Sequence, residues 1–103
     1  MSSIEFIVGR VTQEDGFALA DGRVGDGTIR VRDTFTSMCS YAGQSVGDRV
    51  EVVRGQAEPV RLTVETIEAY RHFLDCIERG LTARLQLRDD GLEKLADEKI
   101  LSL

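Results

Sequence analysis

The sequence predicts a mainly all-β fold: a small closed antiparallel β-barrel of six or seven strands with one short helix near residues 70–79. Three observations predict it. Apolar and polar residues alternate over several short segments, the period of a half-buried strand. Glycine-bearing turn signals separate those segments, as in Glu14-Asp15-Gly16, Gly25-Asp26-Gly27 and Asp89-Asp90-Gly91. The 103 residues include ten glycines but one proline, which suits a single domain whose turns are made with glycine.

The elements follow in order. Ile4 to Thr12 reads as a strand with Ile4, Phe6 and Val8 on one face; the phase slips near Gly9, where a bulge is expected. Phe17 to Val24 is a second strand, and Ala18, Ala20 and Gly22 on one side predict close backbone approach. Thr28 to Arg32 alternates cleanly, with Ile29 and Val31 inward and Arg30 and Arg32 toward water. Asp33 to Tyr41 continues as β-prone sequence anchored by Phe35, and the polar stretch from Ala42 to Asp48 reads as a loop. Arg49 to Arg54 is the next strand, followed by a loop through Gly55 to Pro59.

From Val60 the signal is double. Val60, Leu62 and Val64 alternate as in a strand, whereas Ile67, Tyr70, Leu74, Ile77 and Leu81 recur at helical spacing. The expectation is a strand and then a short helix ending at Gly80. Thr82 to Leu87 alternates again with Ala83, Leu85 and Leu87 inward; Leu92 to Lys94 suits one helical turn, and Ile100 to Leu103 a closing strand.

Composition narrows the function classes. Eighteen acidic residues face thirteen basic ones, a formal net charge of -5, so the basic footprint of a DNA-binding protein is missing and no DNA partner is expected. An apolar run near the ~20 residues of a membrane helix is also missing, and no charged-then-apolar leader opens the chain, so no membrane partner is expected. Cys39 and Cys76 have no C-x-x-C spacing and are read as two reduced thiols of a cytoplasmic protein. With His72 as the sole histidine, no metal or other cofactor is expected.

At this point a family resemblance enters. Gly22-Arg23-Val24, then Gly27, Ile29, Val31 and Asp33, resembles the GRV..G.I.VGD hairpin of the second domain of elongation factor Tu, with Arg32 at the family's glycine. Val64 to Leu74 is similar to the family strand that carries a glutamate before a short helical turn, and Thr82 to Leu87 to the strand after it. Gly91 to Leu95 resembles the turn before the last strand, so the likeness runs along nearly the whole chain. It implies an elongation factor Tu domain 2-like β-barrel over 1–103. In translational GTPases this barrel helps hold the aminoacyl end of tRNA. The resemblance places Glu68 at a family glutamate near the tRNA terminus and Thr82 at a family asparagine. The phosphate loop of a GTPase domain is not in this chain.

The candidate binding residues are therefore Arg23, Arg30, Arg32, Glu68 and Thr82. No catalytic residue is assigned. On a helix, Glu68 and Asp75 would neighbour His72, but a surface histidine is the expectation; Cys39 lacks a nearby group to lower its pKa. The expected function is that of a non-catalytic binding or adaptor domain with a protein partner, not an enzyme. The alternative is an accessory protein that binds RNA or a tRNA end. An exposed strand edge makes a monomer or weak homodimer the expected state.

Overall fold

The computed structural model describes residues 4–103, in which ten strands follow one another: β1 (Glu5–Gln13), β2 (Ala18–Asp26), β3 (Thr28–Arg30), β4 (Thr34–Val46), β5 (Arg49–Arg54), β6 (Glu58–Ala69), β7 (His72–Leu74), β8 (Cys76–Glu78), β9 (Thr82–Asp90) and β10 (Lys99–Ser102). Eight of them share one sheet in the order β5-β4-β10-β1-β2-β9-β6-β7, and a further pairing of β4 with β6 closes six strands into a ring. The strands β3 and β8 pair separately, Ile29 opposite Ile77. The fold is nearly all β, as the alternation predicts.

The inward faces build one apolar core. Phe6 and Val8, Ala18 and Ala20, Phe35 and Met38, Leu62 and Val64, and Leu85 and Leu87 are all at most 1% exposed, and no described polar side chain is buried with them. Covering the side chains larger than alanine stabilises the chain by roughly 1.5–3 kcal/mol each, and it is the period-2 pattern that directs them to the same side. Four register shifts adjust the phase, the first between Glu5 and Phe6 where β1 pairs with β2. The others lie between Val8 and Arg10 on β1, where Gly9 lies, between Phe35 and Ser37 on β4, and between Val64 and Thr66 on β6. Each extra residue re-aims the side chains that follow, so Phe35 and Met38 both point inward although three positions apart.

The small residues of β2 do allow close approach. A Cβ at Gly22 would lie 2.1 Å from the carbonyl oxygen of Ile7, so β1 and β2 can pack at their observed separation only because this position has no side chain.

Three expectations are corrected. The segment 70–79 is not a helix. Strand β6 runs on to Ala69, turns through Tyr70 and Arg71, and returns as β7, after which Cys76–Glu78 forms β8. Among the described residues the one helical piece is a 3-10 turn at Leu92–Lys94, stitched by Lys94 N–H donating to the Gly91 carbonyl. The helical spacing was produced by a hairpin: a two-residue turn puts residue i opposite i+7, so Ile67 faces Leu74 across the ladder. Second, the stretch 42–46 is strand, because β4 continues outward to pair with β5. Third, β3 ends at Arg30, and Arg32 occupies a turn at φ 81°, the left-handed region that favours the glycine of the resembling hairpin. Its N–H donates to the Val64 carbonyl at 2.8 Å, and the Val64 N–H donates to the Asp33 carbonyl at 2.8 Å, which docks the turn on β6.

Candidate binding groove

Where β1, β2, β9 and β6 run side by side, their outward side chains form a cross-strand row. Arg10 lies opposite Asp21, Asp21 opposite Arg84, Arg84 opposite Glu68, and Glu68 opposite Phe73 on β7. Paired residues of an antiparallel ladder share a face, so this register alone sets an alternating-charge row with an aromatic ring at its end. One step along, Ile7, Arg23 and Thr82 form a shorter parallel row.

Between these rows and the Tyr70–Arg71 turn lies an open groove of about 800 Å³. Its lining includes Arg10, Arg23, Arg71 and Arg84, two carboxylates from Asp21 and Glu68, and the rings of Tyr41 and Tyr70. Gly9, Gly22, Ala69 and Ala83 leave it shallowly floored, since none projects a long side chain. Four cations against two anions make the groove locally positive in a chain of net charge -5.

The charges are unequally free. Arg84 donates from Nε to Asp21 Oδ1 at 2.7 Å and from NH2 to Oδ2 at 3.3 Å, a two-point fork. This hydrogen bonding, then the Asp21 charge and to a lesser extent that of Glu68, raises the Arg84 pKa above its ordinary value against a small opposing effect of desolvation. Arg10, Arg23 and Arg71 make no ion pair with a described residue. Tyr41 anchors the opposite wall, its hydroxyl donating to the Val8 carbonyl at 3.2 Å. Tyr70 is 72% exposed and Phe73 74%.

The structure thus brings Arg23, Glu68 and Thr82 into one groove and leaves Arg30 and Arg32 out of its lining. Arg30 ends β3 opposite Cys76, and Arg32 sits in the following turn. Arg49 and Arg54 belong to β5, where Arg54 forks onto both Glu5 oxygens at 2.8 and 3.1 Å. His72 is exposed on a strand opposite Ala69, so the helical neighbourhood with Glu68 and Asp75 does not form. Cys39 and Cys76 are free, half-buried thiols.

Six charged or aromatic groove residues, Arg10, Asp21, Tyr41, Tyr70, Arg71 and Arg84, are not among the sequence candidates. Arg84 had a legible signal, because alternation with Ala83 and Leu85 inward leaves position 84 outward. Arg10 is displaced by the bulge at Gly9, and Tyr70 and Arg71 were hidden by the helical spacing. Chemically, the groove offers guanidinium donors and aromatic faces, a set suited to holding an anionic or ring-bearing group. No described helix is long and apolar enough to cross a membrane.

No protein-family profile matches the chain, and no curated protein matches it. Among solved structures, it is similar to translation elongation factor SelB from Methanococcus maripaludis in its apo form. That likeness has a TM-score of 0.67 at 10% identity, and covers 97% of this chain but 18% of the elongation factor's. The chain therefore has the fold of a translation-factor-like β domain, and spans less than a fifth of the structure it resembles.

Proposed function

We propose that this chain is a non-catalytic binding domain, an elongation factor Tu domain 2-like β-barrel that holds a protein partner across the groove and its Tyr70–Phe73 rim. The observation that carries the reading is a pair of aromatic side chains, Tyr70 at 72% and Phe73 at 74% exposure, flanking the unpaired Arg71. Tyr and Arg are the residues that dominate interface energetics, and an aromatic ring withdrawn from water contributes about 1.5–3 kcal/mol. The acidic chain favours a partner whose basic surface meets the body while an acidic segment enters the groove. The test is affinity capture with the wild-type chain and with the Y70S/F73S variant. A partner held in stoichiometric amount by the first and lost by the second is the expected result; equal capture by both refutes the reading.

A second reading, an RNA or tRNA end in the same groove, is favoured by one observation: Arg23, Glu68 and Thr82, the positions the family resemblance points to, line a single positive groove. Three unpaired arginines limit such binding to a few phosphates. The salt slope for a single strand would be no steeper than about -2. Fluorescence anisotropy with tRNA at low ionic strength tests it, and an unchanged anisotropy ends it.

A further inference from the structure

The hairpin β4–β5 leaves the ring as an arm in which every residue from Ala42 to Arg54 is exposed. Its outer strand β5 is at the end of the sheet order, so one edge of β5 is unpaired. Of the usual protections of a free edge β5 has charged side chains but no proline, lysine or bulge. The register runs unbroken from Tyr41 opposite Arg54 to Val46 opposite Arg49, and Val50 and Val52 are 72% and 64% exposed.

The turn decides which backbone groups face that edge. Val46 and Arg49 close the two-residue loop Gly47-Asp48, with Gly47 at φ 61° as a type II′ turn requires at its first central residue. A closing pair of this kind exchanges its hydrogen bonds inside the hairpin. The next residue, Val50, then turns its N–H and C=O outward, and Val52 does the same.

An antiparallel strand laid on this edge must match outward residue with outward residue. For a second copy related by a two-fold axis, the central residue is Val50, Glu51 or Val52. An axis at Glu51 puts two carboxylates opposite each other. An axis at Val52 brings no opposite charges together. With the axis at Val50, Arg49 faces Glu51 of the second copy and Glu51 faces its Arg49, so the charge sequence is complementary to itself. Within one chain the Arg49–Glu51 contact is 3.4 Å long and both side chains are exposed, so re-pairing across the edge gives up little.

We infer that β5 is a self-association edge, on which two copies of this chain join antiparallel about a two-fold axis at Val50 to make a continuous ribbon β4-β5-β5-β4. The contact is one strand edge, far below the roughly 1,200–2,000 Å² of a stable interface, so the dimer is weak and concentration-dependent. It uses no groove residue, and stands or falls apart from the binding role proposed above.

Sedimentation equilibrium of the full chain over a wide concentration range tests it, with R49E, E51R and the R49E/E51R double variant. Each single reversal creates two like-charge pairs per dimer and is expected to raise the dissociation constant about tenfold, and the double swap to restore it to within about twofold. V50P removes an outward N–H without touching the β4 ladder; it is expected to leave a monomer with unchanged circular dichroism. A wild-type chain that stays monomeric throughout overturns the inference. So does a dimer indifferent to the reversals, which must form elsewhere, and so does a monomer whose edge takes a strand of another protein in a V50P-sensitive way.

Discussion

Arg84 on β9 grips Asp21 on β2 through two hydrogen bonds, of 2.7 and 3.3 Å, from directly opposite positions in the ladder. The same guanidinium has Glu68 opposite it on the other side. A two-point grip fixes both the plane of the arginine and the rotamer of the aspartate, where a lysine would hold only a point charge. The pair is therefore the rigid part of the groove wall, and the unpaired Arg10, Arg23 and Arg71 are its adaptable part.

Because both side chains of this pair are solvent-exposed, R84A is expected to cost no more than about 1 kcal/mol in urea unfolding. The Arg84 pKa is raised above its ordinary value by its hydrogen bond to Asp21 and the Asp21 charge. A raised pKa means the stabilisation is fully present below the unfolded value and is lost only as pH climbs through the folded one. The wild-type minus R84A difference should stay flat between about pH 6 and about pH 10. A step in that window, read from midpoints of unfolding, contradicts the assigned geometry. Ligand capture is the more sensitive readout, and R84K should impair it nearly as much as R84A.

The Tyr70–Arg71 turn carries strain that can be removed. Both residues have positive φ, 52° and 65°, and Ala69 pairs with His72 across a two-residue loop, the type I′ arrangement that prefers Asn-Gly. The double change Y70N/R71G is expected to stabilise the chain by about 1 kcal/mol in thermal or urea unfolding, since each non-glycine residue gives up a left-handed penalty of roughly that size or less. The same change deletes a ring and a guanidinium from the groove lining. Stability rising while partner capture falls would mark the turn as a site where local strain serves binding. A gain in both assigns the turn no binding role.

Two glycines a bulge apart should respond in opposite ways to alanine. At Gly22 the added methyl would sit 2.1 Å from the Ile7 carbonyl oxygen, a backbone atom that cannot swing away, whereas at Gly9 the nearest atom is the Asp21 carbonyl oxygen at 3.5 Å, an ordinary contact. G22A is expected to lose about 2 kcal/mol or more, and G9A to stay within about 0.5 kcal/mol. Comparable losses for the two, measured by denaturant midpoint at equal slope, would mean that β1 and β2 are not held at the observed separation.

How far the sequence could be read follows from what its pattern encodes. Period-2 alternation reports which side of a strand is wet, and it placed Phe6, Leu85 and Leu87 in the core and left position 84 outside. It is silent on which strands lie beside which. The row Arg10–Asp21–Arg84–Glu68 depends on three ladder registers and a bulge, so Arg23, Glu68 and Thr82 were nameable singly while their shared groove was not. Arg30 and Arg32 lie outside that groove for a local reason: the chain turns after Arg30, and the outward phase stops there. The segment from Tyr70 to Arg79 failed because hairpin and helix give the same sevenfold spacing to Ile67 and Leu74, and nothing in Tyr-Arg announces a type I′ turn. The arm was lost to composition, since Ala42 to Val46 is polar and carries a glycine, and its strand character comes from the partner β5.

Phe35 and Phe73 separate the two functions of an aromatic residue in this chain. Phe35 is fully buried at the bulge of β4, directly opposite Leu62. Removing its ring leaves a cavity in a core with no polar group to fill it, so F35A is expected to cost about 3–5 kcal/mol. That is a large fraction of the stability of so small a domain, and the variant should be largely unfolded at physiological temperature by circular dichroism. Phe73 is 74% exposed on the three-residue edge strand β7, and its ring contributes little to the fold. F73A should change the unfolding free energy by less than about 0.5 kcal/mol. In the proposed binding role this exposed ring is a contact for the partner. F73A should therefore weaken capture of that partner about tenfold or more while its thermal midpoint stays within the error of the wild type. Unaltered capture by F73A moves the docking surface off the β6–β7 rim and onto the arginines alone.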